Sequence, residues 1–211
     1  MILLLASGNP GKAREVGAAL AGLPVRVVTP KEAGISLEVE ETGSTYAENA
    51  LLKAEAACRA GGLPALADDS GIEVDALPGE LGVRSARFGG EGLDDAGRNR
   101  LLLERLAGVE EARRGARFVC VLAFVRPGGR FGFFEGELSG RVLAEPRGEG
   151  GFGYDPLLYL PSLGRTVAEL DLETKNRISH RGRALAAFRG WLARELAENP
   201  YRPMRGRRRT G

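Results

Sequence analysis

Asp68 and Asp69 stand side by side behind a short apolar run, Ala65 to Ala67, and ahead of Ser70 and Gly71. Two carboxylates, a hydroxyl and a glycine in succession suit two jobs. Adjacent acids offer hard oxygen ligands to a divalent cation. Asp, Ser and Gly equally favour a plain change of chain direction. An apolar strand that ends in such a cluster delivers its polar groups to a sheet edge, where open α/β sheets collect ligands. If both acids are extended, they point to opposite sides, so only one of them faces a given cleft.

The cations narrow the chemistry. Only four of the 30 basic residues are lysines: Lys12, Lys31, Lys53 and Lys175. A lysine is a compact point charge suited to phosphate. Lys12 follows Ser7-Gly8-Asn9-Pro10-Gly11, where Asn9 fits a helix N-cap and Pro10 a first helical residue. A cation in the first turn opposes the helix dipole, and an anion held by free N–H groups and the lysine resolves that conflict. The spacing does not match a Walker A loop. His180, the sole histidine, and Arg181 repeat the conflict after Ser179, a second candidate N-cap. Between them lies the run Pro146 to Pro156, rich in glycine, with Phe152, Gly153, Tyr154 and Asp155. Glycines permit close backbone approach, aromatic faces stack on a base, and a carboxylate accepts from ring N–H groups. A flexible loop with an aromatic core plug is the plainer reading of the same residues.

These groups need a scaffold. Ile2 to Ala6 reads as a buried strand, Pro10 to Leu20 as a helix and Val25 to Thr29 as a second strand. Ile35 to Glu41 alternates, with Ile35, Leu37, Val39 and Glu41 on one face. Glu41 thus continues an apolar face, where a carboxylate is costly unless paired; if the strand ends at Glu40, it is merely solvated. Thr45 and Glu48 form a capping box for a helix that stops at Gly61-Gly62 and carries Lys53. Ile72 to Leu77 reads as a further strand, and Asp94 to Leu106 as a helix. Arg117 to Val125 and Phe131 to Glu137 form a hairpin over Pro127-Gly128-Gly129, and Gly140 to Ala144 adds a strand. A closing helix buries Leu185, Phe188, Leu192 and Leu196.

Composition sets the outer bounds. The chain has 211 residues, 43% hydrophobic and 27% charged, with a formal charge of +2. That length supports a full core, and the near balance of charge gives no footprint for nucleic acid. Much of the basic excess lies in Arg205 to Arg209, so residues 1–198 read as one unit and 199–211 as a basic tail. Cys58 and Cys120 fall in apolar surroundings and form no CxxC motif, which fits a reducing, cytoplasmic setting. The apolar start, Met1 to Ala6, is too short for a signal peptide, and no window is apolar enough to span a membrane.

Taken together, the acids, the helix-start cations and the glycine/aromatic loop suit phosphate-ester chemistry on a nucleotide. The ordered set goes further. Ser7-Gly8-Asn9-x-x-Lys12, Glu41-Thr42-Gly43, Glu48-Asn49-Ala50-x-x-Lys53, Ala67-Asp68-Asp69-Ser70-Gly71, Ser85-Ala86-Arg87-Phe88, Gly151-Phe152-Gly153-Tyr154-Asp155-Pro156 and Ser179-His180-Arg181-Gly182 resemble the inosine triphosphate pyrophosphatases. The resemblance runs from about Ile2 to Leu196. It implies an α/β fold, an elongated mixed β-sheet flanked by helices, with two lobes around a central cleft. It also implies a homodimer and Mg²⁺-dependent hydrolysis of ITP, dITP and XTP to the monophosphate and pyrophosphate. By matching motif positions, Ser7, Gly8, Asn9, Pro10, Gly11 and Lys12 hold the phosphates. Asp69 is the catalytic carboxylate and, with Glu41, a metal ligand. Lys53 and Lys12 assist catalysis, and Ser70 contacts substrate. Phe152, Gly153, Tyr154, Asp155, Lys175, His180 and Arg181 bind the base. Asp68 receives no role. The related Maf-like pyrophosphatases and an RNA-binding module with a basic tail are the rival readings.

Overall fold

The computed structural model describes residues 1–90 and 92–198, and the basic tail expected over 199–211 lies outside them. The chain opens with β1 (Ile2–Leu5), α1 (Pro10–Ala19) and β2 (Arg26–Val28). Next come α2 (Tyr46–Gly61), β3 (Ala65–Val74), a 3₁₀ turn at Gly82–Arg87 and α3 (Asp95–Arg105). The hairpin β4 (Gly115–Val125) and β5 (Phe131–Val142) precedes β6 (Leu158–Leu160) and β7 (Arg165–Thr166). Two helices, α4 (Leu172–Ile178) and α5 (His180–Glu198), follow. The strands make one seven-stranded sheet in the order β2-β1-β3-β4-β5-β6-β7. β1 runs parallel to β2 and β3, and the remaining pairs are antiparallel. The expected α/β class with a mixed sheet flanked by helices is what the chain adopts.

Local chemistry explains the elements. β1 is an unbroken apolar run because both its faces are covered, as is usual for a parallel strand. The capping box of α2 forms in full. Thr45 Oγ1 accepts from the Glu48 N–H at 3.2 Å and Glu48 Oε2 from the Thr45 N–H at 3.1 Å. Gly62 ends the helix at φ 61°, a left-handed geometry that costs glycine nothing. Along α2, Ala50, Ala54 and Ala57 are fully buried and bring the helix down onto one face of the sheet, beside Ala65, Ala67 and Ala123. The other face is covered by α1 and α5, whose Leu185, Phe188 and Leu192 pack with Leu66, Leu122 and Phe124. A third core, around Ile72, Phe118, Leu138 and Leu157, fills the far end of the sheet.

Three expectations change. Ile35 to Glu41 is not a strand: it has no ladder partner. Its alternation survives all the same, with Ile35, Leu37, Val39 and Glu41 half-buried and Ser36, Glu38 and Glu40 exposed. The segment lies over the alanine-lined core under α2, where Ile35 and Leu37 pack, and no neighbouring strand offers it hydrogen bonds. Second, β3 does not stop at the acids, and Ile72 to Leu77 is not a separate strand. β4 pairs with it residue for residue from Ala65↔Val125 to Val74↔Ala116, carrying the ladder straight through Asp68, Asp69 and Ser70. The strand that does end here is β1, which pairs with β3 only at Ala65 and Leu66. Beyond that point the 3₁₀ turn covers the open edge: Ser85 Oγ accepts from the Ile72 N–H at 2.9 Å. Third, β5 is continuous through Gly140 rather than two strands, because β4 pairs with it from end to end.

Gly71 is what allows this edge to close. A Cβ at that position would overlap the Gly82 carbonyl oxygen and come within 2.6 Å of Ser85 Oγ. Gly71→Ala is therefore expected to destabilise the protein by about 2–3 kcal/mol. Gly17→Ala, in α1 with nothing within 4 Å of the added carbon, is expected to stabilise by about 0.5 kcal/mol. Chemical denaturation of the two variants checks the opposite signs.

Candidate active site

Extended geometry sends Asp68 and Ser70 to one face of β3 and Asp69 and Gly71 to the other. On the α2 face, Lys53 Nζ lies 3.3 Å from Asp69 Oδ1 and 2.7 Å from Glu41 Oε1. Asn49 sits one turn before Lys53 on α2 and donates to Asp69 Oδ2 at 3.2 Å. The same Asn49 accepts from the Gly43 N–H at 2.8 Å, which seats the Glu41 segment on the start of α2. Burial pushes the Asp69 carboxyl up; Lys53 opposes that and Glu41 adds to it, leaving it above the usual range. Burial alone would lower the Lys53 ammonium, but Asp69 and Glu41 outweigh it, so its pKa is raised and it stays charged.

The opposite face holds a larger set. Asp68 Oδ2 receives Lys12 Nζ at 2.9 Å and Arg181 Nε at 3.2 Å. Arg181 also reaches Glu15 at 2.9 Å and Ser70 Oγ at 2.9 Å. Lys175 then bridges Glu15 at 3.2 Å and Asp155 at 2.8 Å. Signs alternate all along this line, from Lys12 through Asp68, Arg181, Glu15 and Lys175 to Asp155. Burial works against the Asp68 carboxylate, yet Lys12 and Arg181 more than offset it and hold it well below the carboxylate range. Asp155, with Lys175 as its counter-charge, is raised by burial. Burial, reinforced by Arg181 and Lys175, pushes His180 far down, so its imidazole is neutral. The ring lies 4.8 Å from that of Phe118, and its Nδ1 is buried without a hydrogen-bond partner among the described residues.

These groups border a cavity of about 290 Å³ whose lining includes Ser70, Ile72, Phe118, Phe152, His180 and Arg181. Lys175 and Arg181 stand over the Phe152 ring at 4.7 and 5.4 Å. The Phe152 loop is held at several points. Asp155 Oδ2 accepts from the Phe152 N–H at 2.9 Å, and Asp95 Oδ2 from the Gly153 N–H at 2.7 Å. Asn99 donates to the Gly153 carbonyl at 3.0 Å, and Tyr154 donates its hydroxyl to the Ser85 carbonyl at 2.8 Å. A second, wider cavity of about 1160 Å³ is bordered by Ser7, Gly8, Asn9 and Pro10, with Lys31 and Lys53. Asn9 borders both cavities.

The expected residues thus gather in two groups that meet near Asn9. Asp69, Lys53 and Glu41 form one. Lys12, Ser70, Phe152, Asp155, Lys175, His180 and Arg181 form the other. One detail differs from expectation. The first N–H groups of α1 are not free for an anion, because Asn9 Oδ1 accepts from Gly11 and Lys12 at 2.8 and 3.2 Å, and Pro10 has none. The cost of a lysine at this helix start is met instead by Asp68. Several participants carried no assigned role in the sequence reading. Glu15 follows Lys12 by three residues and Asn49 precedes Lys53 by four, so helical spacing already put each beside a singled-out lysine. Asp95 and Asn99 gave no such signal, since the loop they hold is more than fifty residues away.

The oxygens of Glu41 and Asp69 converge on a single point, now taken by Lys53 Nζ. No group of three or more His, Cys, Asp or Glu residues gathers as metal ligands among the described residues. Two carboxylates fit Mg²⁺, which keeps several waters and takes its other ligands from substrate phosphates.

Most of the chain is similar to proteins of one family. Residues 3–191 match the model of the Ham1 family. The dITP/XTP pyrophosphatase of Geobacter sulfurreducens is 50% identical over 192 residues, covering 90% of this chain and 96% of the relative. A dITP/XTP pyrophosphatase of Thermus thermophilus is 52% identical over 188 residues, covering 89% and 90%. Among solved structures, a HAM1 protein from Coxiella burnetii superposes with a TM-score of 0.84 at 41% identity, covering 92% of this chain and 99% of the other. The Staphylococcus aureus Ham1 protein gives 0.83 at 40%, covering 92% and 100%. With the match running from β1 into α5, the chain belongs to the Ham1 family.

Proposed function

We propose that this chain is a nucleoside triphosphate pyrophosphatase that hydrolyses ITP, dITP and XTP to the monophosphate and pyrophosphate with Mg²⁺. The observation that carries the reading is the convergence of Asp69, Glu41 and Lys53 beside a wide cavity that adjoins a smaller, aromatic-walled one. Names of curated relatives, dITP/XTP pyrophosphatases, point the same way. The chain acts in the cytoplasm as a homodimer of a two-lobed domain spanning 1–198, with no nucleic acid or membrane as partner. No described helix is long and apolar enough to cross a membrane.

In this reading Ser7 to Lys12 border the polyphosphate, and Phe152 to Asp155 with Lys175, His180 and Arg181 enclose the base. Glu41 and Asp69 hold Mg²⁺, which when bound neutralises phosphate charge and makes a bound water more acidic. Asn49 fixes one Asp69 oxygen, which leaves the other aimed into the site. A carboxylate whose pKa is raised is the better proton acceptor at neutral pH. Asp69 takes a proton from water as the water oxygen bonds to the α-phosphorus. The bond from that phosphorus to the bridging oxygen breaks, and pyrophosphate leaves with the electron pair. Lys53 and Lys12 face the negative charge that builds on the phosphates.

Discrimination against adenine follows from donor counting. Arg181 has five N–H donors. Two go to Asp68, one to Glu15 and one to Ser70. One remains, and it suits the 6-keto oxygen of hypoxanthine or xanthine. Adenine would present an amino donor there, leaving both donors unpaired.

A panel of ITP, dITP, XTP, ATP and GTP tests the assignment. Pyrophosphate release is expected from the first three, lost in EDTA and restored by Mg²⁺; equal turnover of ATP, or of pyrimidine triphosphates, would sink it. Asp69→Asn is expected to lower kcat by about 10²-fold or more, yet to leave the ligand-free protein at least as stable at pH 7. The sign follows from the raised carboxyl: ionising Asp69 costs more in the folded state than in the unfolded one. A neutral amide removes that cost, and the gap in melting temperature closes as the pH falls through the raised pKa. A less stable variant at pH 7 would contradict the assignment of Asp69 as a strained charge.

A further inference from the structure

We propose that Asp68 is a positioning residue that competes with the polyphosphate for the Lys12 ammonium and so sets how readily pyrophosphate leaves; this rests on the pyrophosphate-releasing reading above. The observation is the crowding of one oxygen. Asp68 Oδ2 takes Lys12 Nζ at 2.9 Å, and both Nε and Nη2 of Arg181 at 3.2 Å.

The two cations are not equally free. Arg181 has a side chain 3% exposed, pinned also by Glu15 and Ser70 at 2.9 Å each. Lys12 is 20% exposed, borders the smaller cavity, and has Asp68 as its one ion-pair partner among the described residues. Lys12 is therefore the partner that moves. A lysine is a point charge on four flexible carbons and can turn from one anion to another by rotating its stem. A polyphosphate running from the smaller cavity toward the wider one, past the Asn9 that borders both, meets an ammonium already neutralised. Binding exchanges one anion for another and is weaker than capture by a bare charge. As pyrophosphate departs, the exchange runs backwards and Asp68 takes Lys12 back. Asp68 can do this because it faces away from the Asp69 cluster, across the thickness of β3, and has no part in holding the water or the metal. A purely structural role, as counter-charge to Arg181 alone, would leave pyrophosphate affinity untouched.

Calorimetric titration of inorganic pyrophosphate in Mg²⁺ separates the two. The proteins compared are the wild type, Asp68→Asn, Lys12→Ala and the double variant. Asp68→Asn is expected to bind pyrophosphate about tenfold tighter, the worth of one charge-assisted contact, with the KM for ITP falling in step. The gain is expected to vanish in the double variant, where no Lys12 is left to release. Unchanged affinity in Asp68→Asn, no measurable binding to either protein, or a gain that survives without Lys12 overturns the proposal. Should Asp68→Asn fail to fold, the wild type decides. Its four lysines give few ¹⁵N ammonium signals, and that of Lys12, identified by its loss in Lys12→Arg, is expected to shift when pyrophosphate is added. A signal that stays put at saturating pyrophosphate refutes the exchange. Wild-type turnover of ITP keeps the failures apart: without it the functional reading falls, and with it only the role of Asp68 is at stake.

Discussion

Neighbouring residues in an extended strand point in opposite directions, and the site is built on that single fact. One peptide step, from Asp68 to Asp69, hands one carboxylate to each face of the sheet. Each arrives in a buried place where an unpaired charge is prohibitive, so each face must supply cations. The α2 face supplies Lys53, and the α1/α5 face supplies Lys12 and Arg181. The ten-residue ladder with β4 fixes which acid goes where. A slip of one residue would exchange them and send every counter-charge to the wrong side.

Identical side chains thereby acquire opposite character. Asp68, met by two cations, is held ionised far into acid; Asp69 is pushed the other way by burial, with one cation to oppose it and Glu41 to add to it. The first stays a charged counter-ion, and the second is the more readily protonated of the two. A similar logic governs Arg181. Arg181 commits four donors to keeping itself in place, which fixes the direction of the one that is left. The alternating line from Lys12 to Asp155 leaves no buried charge without a neighbour of opposite sign, although it crosses from α1 to the Phe152 loop.

The sequence announced the parts of this arrangement that depend on local chemistry. Asn9 and Pro10 marked the start of α1, Thr45 and Glu48 the start of α2, and the alternation from Ile35 to Glu41 correctly assigned faces. It did so even though no strand pairs with that segment, because the alternation reports which side is buried and says nothing about ladder partners. Lys12 was recognisable as a cation in the wrong place. Its actual counter-charge, Asp68, is far away in sequence, and no periodicity connects them. β3 misled for a related reason. Apolar character stops at Ala67, but the strand continues because β4 provides hydrogen bonds and the polar residues find partners on either side. Glu15 offered only its helical spacing from Lys12, which is not the partner it takes. Only the packing of α5 against α1 turns it into the link between Arg181 and Lys175. The family resemblance named residues that border the two cavities far more completely than those that hold them in place.

The alanine stripe of α2 carries a consequence for how this enzyme tolerates change. Ala50, Ala54 and Ala57 contain no group that could do chemistry, yet they fix the height at which the helix rides above β3. Asn49 and Lys53 are bolted to the same rod, so their reach to Asp69 is a clearance rather than a matter of side-chain length. Three methyl groups act as shims. Thickening any of them pushes the rod away from the sheet and widens the gap at the carboxylate. Innocuous-looking apolar exchanges on this buried face are therefore among the most direct ways to silence the site.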